Sequence, residues 1–214
     1  HVERTTPRVT ARTFSFFRVD SDALNCHYEL IYTVEEARTR RLALLLPKST
    51  PASVTIAALD GVKLGEYTRE PAGDLRRWNV PLADARRGRI RITVDFQQPL
   101  DAAEPKGLAL PMVKADDVLY QSGLMAVEGC AELDVQLDRQ SAQKSLREVD
   151  VGELAEADYQ PGRRLLGAFG FVGDPPTVKL DVLRHPGYRL SPAIVEKCEL
   201  DTNLSPDGVS QTQA

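Results

Sequence analysis

The chain has 214 residues, of which 42% are hydrophobic and 27% charged, and its net charge is −4. This length suits one large all-β domain or two small sandwiches of about 100 residues each, and the hydrophobic fraction argues against wholesale disorder. The acidic balance argues against a nucleic-acid-binding surface, which needs a clustered basic excess. No apolar run reaches the roughly 18 residues that a membrane-spanning helix needs.

Short apolar runs separated by turn residues predict strands throughout the first hundred residues. Val, Ile, Tyr and Phe are enriched in these runs, and Pro47 ends one of them. The alternation of Arg89 and Arg91 with isoleucines predicts a strand with one solvated face. The predicted strands are Thr10–Val19, Asn25–Val34 (with Tyr28, Leu30 and Tyr32 on one face), Leu42–Leu46, Ser53–Ala58, Arg77–Leu82 and Arg89–Phe96.

An Asp-Gly dipeptide marks a turn in the middle of this block. Asp60-Gly61 favours a tight hairpin turn, because such turns need a positive φ. We expect Val62, Leu64 and Tyr67 to continue into the return strand of that hairpin. With this strand the block contains about seven strands, the number expected of a small sandwich.

The second half repeats the strand pattern after a polar, proline-containing stretch. Gln97–Lys106 is the best linker candidate. Asp138–Tyr159 is predicted to be a long polar loop with at most one short helical turn, where Asp150 and Glu153 have capping-box spacing. The predicted strands are Val118–Val127, Ala131–Leu137, Leu165–Val172, Thr177–Leu183 and Ala193–Leu200.

These elements predict an all-β protein with two tandem β-sandwiches of the immunoglobulin or fibronectin type and one long polar loop. We place the first sandwich at residues 1–104 and the second at residues 105–200. Residues 201–214 form a polar tail. The chain begins at His1 rather than Met, so we expect a fragment or a processed product, and the missing signal peptide is uninformative about compartment.

Three cysteines, Cys26, Cys130 and Cys198, lie far apart, and none belongs to a C-x-x-C pair. This spacing argues against a structural zinc site. We expect three buried thiols, because an isolated cysteine behaves as a small hydrophobic residue. One disulfide with one free thiol is the alternative.

Residues that could support catalysis are sparse. No G-x-S-x-G sequence is present, and of three histidines only His27 lies in a predicted strand. Cys26 is its neighbour, but adjacent strand residues point to opposite faces, so we expect no catalytic dyad. No acid is isolated in an apolar run, where its pKa would rise, so paired carboxylates for glycoside hydrolysis are not assigned. We therefore assign no catalytic and no cofactor-binding residue.

One segment near the C-terminus has the spacing of a cation loop. Asp201, Asn203, Ser205 and Asp207 place oxygen ligands at alternate positions, as calcium loops do. Pro206, however, stands where such a loop needs its sharp-turn glycine, and no glutamate follows to close the site. We interpret the segment as a turn rich in side-chain hydrogen bonds and assign no metal, leaving open whether its acids bind calcium.

Carbohydrate binding would use exposed aromatic side chains. Trp78, Tyr67 and Tyr120 are the available platforms. Trp78 alternates with Val80, so we interpret it as a core anchor between two sheets, with a sugar platform as the alternative.

The order of motifs in the first half is recognisable. It runs through L-x-L-L-L-P (Leu42–Pro47), V-x-I-x-A-L-D-G (Val54–Gly61), W-x-V-P-L (Trp78–Leu82) and I-x-I-x-V-x-F (Ile90–Phe96). This order resembles a repeat module of very large envelope-associated proteins of planctomycete-type bacteria, which string β-sandwiches in tandem and lack an assigned activity. The resemblance implies a piece of a longer array, cut at Ala214 before its next repeat, and it supplies no catalytic residues.

We therefore expect a non-enzymatic structural or adhesive fragment of a larger bacterial envelope or secreted protein. Its partners are expected to be neighbouring modules of the same parent protein, and exposed edge strands at Val209–Ala214 could pair with a second copy. We expect no cofactor, no nucleic acid and no membrane span. The alternatives are a carbohydrate-binding module and an accessory domain of a hydrolase.

Overall fold

The computed structural model describes residues 6–100, 105–138, 146–162, 164–184, 201–205, 207–208 and 210–213. Strands dominate these ranges, and the helical part of them is a single 3-10 turn at Val151–Glu156, which confirms the all-β class. Nothing helical in the described ranges is long or apolar enough to cross a membrane. The strands are β1 (Arg8–Val19), β2 (Ala23–Pro47), β3 (Thr55–Ala58), β4 (Thr68–Ala72), β5 (Leu75–Pro99), β6 (Leu108–Ala109), β7 (Lys114–Asp116), β8 (Tyr120–Gly129), β9 (Leu133–Leu137), β10 (Arg147–Glu148), β11 (Arg164–Val172), β12 (Lys179–Arg184), β13 (Asp201–Leu204) and β14 (Ser210–Gln213).

Two strands of 25 residues, β2 and β5, run through the centre of the fold. They pair antiparallel along their whole length except around Thr39 and Arg86, where each strand bulges in turn. Glu36 (φ 64°) and Gly88 (φ 90°) adopt left-handed conformations there. Bulges of this kind bend a sheet. On one side of the bulges β1 and β3 pair with the β2–β5 ladder, and on the other side β7 and β4 pair with it.

The Asp-Gly turn forms, but the predicted hairpin does not. Asp60 and Gly61 both have positive φ (55° and 70°), and the Val62 N–H donates to the Leu59 carbonyl at 3.1 Å. The segments on either side pair with β5 rather than with each other: β3 pairs along it, and Leu64 makes a single bridge to it. The hairpin prediction is therefore wrong in its pairing, because the long β5 provides backbone partners for both segments.

Strand β1 joins the two halves of the chain. It pairs antiparallel with β2 on one side and parallel with β8 on the other, and β8 pairs with β11. The nine-stranded sheet that results extends across the boundary predicted between residues 104 and 105. The finer expectation of two tandem sandwiches is therefore not confirmed, since strands from both sides of the predicted boundary share one sheet in the described residues.

The bent sheet encloses one large apolar core. Alternate residues of β2, including Tyr28 and Tyr32, point into it, and their hydroxyls donate to the carbonyls of Pro111 (2.5 Å) and Ala43 (2.8 Å). Strands β6, β12 and β9 form a small second sheet whose apolar residues join the same core. The residues of this core come from both halves of the sequence and include Tyr28, Leu30, Tyr32, Leu44, Trp78, Val80, Ile92, Val94, Met125, Val127, Val135 and Leu180.

A strap formed by residues 149–159 covers part of the outer face of the sheet. It contains the 3-10 turn, whose N-cap Asp150 accepts a hydrogen bond from the Gly152 N–H at 2.7 Å. Leu154 and Ala157 pack on β1, β2 and β8 residues that point away from the main core. Of the loop predicted at Asp138–Tyr159, the described residues contain this short helical segment and also strand β10, which the prediction lacks.

The C-terminal segment forms a hairpin, in which β13 pairs antiparallel with β14. The predicted strand at Ala193–Leu200 lies outside the described residues, as do Val209 and Ala214. Pairing of this tail with a second copy stays a prediction.

Candidate functional site

A cluster of charged and aromatic side chains lies on the outer face of the sheet, under the C-terminal end of the strap. It arises from alternate positions of two paired strands, because the register places β2 residue His27 opposite β5 residue Asp95. Two strap residues close it from above. We call it the ion cluster; its members are His27, Glu29, Arg91, Asp95, Asp158 and Tyr159.

Glu29 is the centre of the ion cluster and is only 1% exposed. Its Oε1 accepts the Tyr159 backbone N–H at 2.7 Å, and its Oε2 accepts from Arg91 at 3.1 Å. Burial by itself raises the pKa of this carboxyl, but the nearby His27 and the donated hydrogen bonds outweigh burial and lower the pKa to about 2. Glu29 is therefore an anion at neutral pH that fixes the end of the strap to β2.

His27 lies between two carboxylates. Its Nδ1 is 2.5 Å from Asp95 Oδ1, and its Nε2 is 3.7 Å from Glu29 Oε1. The ring stacks on Tyr159, with centroids 4.8 Å apart and planes at 24°. Burial by itself lowers the pKa of His27, but the two carboxylates outweigh burial and raise the pKa to about 9. The imidazole is thus a cation at neutral pH and has no free lone pair with which to act as a general base.

Arg91 connects the sheet to the strap. Its Nη2 is 3.1 Å from Glu29 Oε2 and 2.9 Å from Asp158 Oδ2. The predicted solvated face is wrong for this residue, because the strap leaves its side chain only 12% exposed. Arg89 is exposed, and it pairs with Glu156 of the strap at 2.9 Å.

Tyr159 links the ion cluster to a second buried acid. Its hydroxyl donates to Oε1 of Glu128, a fully buried residue of β8, at 2.9 Å. Burial and this carboxylate raise the pKa of Tyr159 to about 12, so the phenol stays neutral. Beside the ring is a cavity of about 340 Å³, lined among others by Arg18, Asn25, His27, Thr55, Asp95 and Tyr159.

Cys26 also lines this cavity, but it does not offer a thiolate to the site at neutral pH. Cys26 points into the main core, opposite to His27, as the strand alternation predicts. Burial raises the pKa of its thiol to about 12, so it is protonated at neutral pH. Cys26 and the half-buried Cys130 are both free thiols, and Cys198 lies outside the described residues.

The three aromatic residues considered as sugar platforms differ in exposure. Trp78 is 3% exposed and belongs to the main core, which confirms it as a core anchor. Tyr67 is half-buried, and its hydroxyl donates to the Val54 carbonyl at 3.0 Å. Tyr120 is 50% exposed. Of the three, Tyr120 is the one that presents its ring to solvent.

The segment with calcium-loop spacing contains the first strand of the C-terminal hairpin. Asp201 and Asn203 lie in β13, which pairs antiparallel with β14. The turn that follows is closed by the Gly208 N–H, which donates to the Ser205 carbonyl at 2.9 Å. Across the described ranges, no group of three or more His, Cys, Asp or Glu side chains is placed to hold a metal.

Sequence reasoning misses the ion cluster, although a signal exists. His27 and Glu29 share one face of β2, and Arg91 and Asp95 share one face of β5. Polar residues at alternate positions of neighbouring strands indicate a polar face but do not tell whether it is covered. The cover comes from the strap, whose Tyr159 lies 130 positions along the chain from Glu29.

Comparisons with known proteins add no candidate activity. No protein-family model matches the sequence, and no curated protein matches it.

Proposed function

We propose that this protein is a non-enzymatic structural or adhesive β-module of a larger bacterial protein, secreted or exposed at the cell envelope. The observation that carries the proposal is how the ion cluster uses its charges. Each charged member lies within 4.0 Å of an opposite charge, and the pairs connect the strap to the sheet. His27 and Asp95 line the cavity of about 340 Å³, but they pair with each other at 2.5 Å, so neither is left as an unpaired base or acid toward that cavity.

Polar contacts carry much of the attachment of the strap. Its fully buried apolar side chains are those of Leu154 and Ala157, and the partly buried Val149 and Tyr159 pack beside them. Against these stand the ion pairs of Glu156 with Arg12 (2.5 Å) and Arg89 (2.9 Å), as well as the ion cluster. We take the ion pairs between the strap and the sheet to favour a rigid module over one that opens for a substrate.

The resemblance to the planctomycete-type repeat module supports the location and the partners that we propose. In such an array each module contacts its sequence neighbours, so the proposed partners are adjacent modules of the same parent protein. Exposed backbone edges of the sheet provide surfaces for these contacts.

A turnover screen tests the non-enzymatic part of the proposal. Wild-type protein and His27→Gln are assayed with chromogenic esters, glycosides and phosphate esters at acidic, neutral and alkaline pH. We expect no turnover above buffer for either, together with a lower melting midpoint for the variant. Turnover by the wild type that His27→Gln abolishes would contradict the proposal, because it would assign the histidine to chemistry.

Carbohydrate binding is the second candidate, and it is favoured by Tyr120. This residue lies on β8 two positions before Ser122, which lines an open cavity of about 870 Å³ together with Arg12, Arg147 and Asp174. Tyr120 and Ser122 share one face of the strand, and an exposed aromatic ring on the same face as a polar cavity could serve as a platform for a sugar. A glycan array tests it.

The expected result for a sugar site is binding that Tyr120→Ala abolishes. Val151→Ala, which truncates an exposed side chain of the strap, is the matched control and should bind as the wild type does. Equal binding by both variants would exclude Tyr120 as the platform.

A further inference from the structure

A separate cavity of about 350 Å³ lies at the far end of the long β2–β5 ladder, next to the Pro47–Leu75 pair. Three basic side chains from three different elements line it. Lys48 follows β2, Arg69 belongs to β4, and Arg76 belongs to β5. We call it the basic cavity. Its position on the ladder separates it from the ion cluster around Glu29.

The positive charges of the basic cavity are not neutralised by carboxylates. Among the described residues, none of the three basic side chains lies within 4.0 Å of an acid. Glu70 also lines the cavity, but its carboxylate contacts Asn79 (3.2 Å) and Arg77 (3.5 Å). Those two residues alternate with Arg76 along β5, so they lie on the opposite face of the strand.

Arg76 is held in place by backbone carbonyls. Its Nη1 donates to the carbonyl oxygens of Thr50 and Pro51, both at 3.0 Å, and its Nη2 is 3.4 Å from that of Lys48. Carbonyl oxygens satisfy the guanidinium hydrogen bonds but do not cancel its charge. Arg76 therefore supplies a fixed positive charge. Its side chain is already ordered in the folded protein, so ligand binding does not have to restrict it.

Arg69 is positioned by an aromatic ring. Its guanidinium carbon lies 6.0 Å from the centroid of the buried Trp78 ring. A cation–π contact of this kind attracts the guanidinium charge and uses none of its N–H donors, which remain for another group. Lys48 is exposed and adds a third donor.

We propose that the basic cavity binds a tetrahedral oxyanion, a phosphate or sulfate, with Arg69 and Lys48 as direct ligands and Arg76 as a fixed countercharge. The planar fork of an arginine matches two oxygens of such an anion, and charge-assisted hydrogen bonds of this kind are about twice as strong as neutral ones. The site does not depend on the structural role proposed for the ion cluster.

Trp78 allows a direct binding assay, because it is the single tryptophan of the chain and Arg69 lies over it. The purified protein is titrated with inorganic phosphate, with sulfate and with chloride at equal ionic strength, and Trp78 fluorescence is recorded. We expect a saturable change with phosphate or sulfate and none with chloride. An identical response to all three salts would overturn the proposal, since it would report ionic strength alone.

Variants assign the ligands by calorimetry, because replacement of Arg69 itself alters the tryptophan signal. Arg69→Gln and Lys48→Gln should each weaken binding about tenfold, as expected when one charge-assisted hydrogen bond is lost. Lys106→Gln, which replaces an exposed lysine outside the cavity, is the matched control and should leave binding unchanged. Equal affinities for all three variants would overturn the assignment.

Glucose 6-phosphate, titrated in parallel, distinguishes the source of the anion. Binding at least as tight as that of inorganic phosphate would support a phosphate carried on a larger molecule. Binding of the inorganic ion alone would support a free anion as the ligand. If phosphate, sulfate and glucose 6-phosphate all fail to bind, the proposal is overturned.

Discussion

Replacement of Glu29 by glutamine is the sharpest test of the idea that the ion cluster holds the strap. The substitution keeps the shape of a side chain that is 1% exposed and removes its charge. The hydrogen bond from the Tyr159 N–H loses its charge assistance, and the one from Arg91 loses its ion pair but keeps the charge of its donor. The amide of the new residue also introduces two donors where the carboxylate only accepted.

The expected cost follows from these contacts. Hydrogen bonds to charged groups contribute about 1.5–3 kcal/mol each, and neutral ones about 1 kcal/mol. Removing one partner of a buried ion pair costs about 3–5 kcal/mol. Arg91 keeps Asp158 at 2.9 Å and Asp60 at 3.6 Å, so its charge is not left alone. We therefore expect Glu29→Gln to lower the free energy of unfolding by about 2–3 kcal/mol, which is less than the cost of leaving a buried charge without any partner.

Urea denaturation of the wild type, Glu29→Gln and Glu35→Gln measures this cost. Glu35 is an exposed glutamate of the same strand, so its substitution makes the same chemical change without burial. Limited proteolysis within residues 149–159 reports release of the strap separately. A loss for Glu29→Gln within about 0.5 kcal/mol, the range of surface substitutions, would refute the reasoning.

Three further predictions concern pH, packing and the tyrosine hydroxyl. The folded pKa of His27 is about 9, above its usual 6.5, so the stability that His27 contributes is lost as pH rises towards 9. The folded pKa of Glu29 is about 2, below its usual 4.5, so the stability that Glu29 contributes is lost as pH falls towards 2. The melting midpoint should therefore be highest between about pH 4.5 and 6.5, and His27→Gln should reduce its decline at alkaline pH. Gly123→Ala places a Cβ against an aromatic ring of β11 and should cost about 1–3 kcal/mol in urea, whereas Gly162→Ala enters open space and should be near neutral. Tyr159→Phe removes a donor to a buried carboxylate and should cost about 1–3 kcal/mol, with faster hydrogen exchange in the strap.

Local pattern predicts the strands well and their partners poorly. The face of β2 that carries Tyr28, Leu30 and Tyr32 is the buried face, as alternation indicates. The predicted strands Asn25–Val34 and Leu42–Leu46 form one strand, β2, which bends near Glu36. The sequence gives no local indication of this bend, because a glutamate rarely adopts φ 64°. The predicted linker Gln97–Lys106 overlaps the end of β5, which extends to Pro99, and residues 101–104 lie outside the described residues.

The same limit applies to the ion cluster and the basic cavity. Arg91 appears solvated in sequence, because its cover arrives from residues 149–159. Lys48, Arg69 and Arg76 come together only through the pairing of β4 with β5 and the turn after β2. Contacts between segments distant along the chain determine both sites, and composition alone does not report those contacts.

The parallel pairing of β1 with β8 has a consequence for the order in which the protein can be completed during synthesis. Residues 10–19 must wait for residues 120–129, so one edge of β1 stays open while the intervening chain emerges from the ribosome. During that interval a strand carrying Phe14, Phe16 and Phe17 offers unpaired backbone and apolar surface to any neighbouring nascent chain. We expect slow folding, as non-local pairing requires, and a need for chaperone protection that ends when residue 129 becomes available.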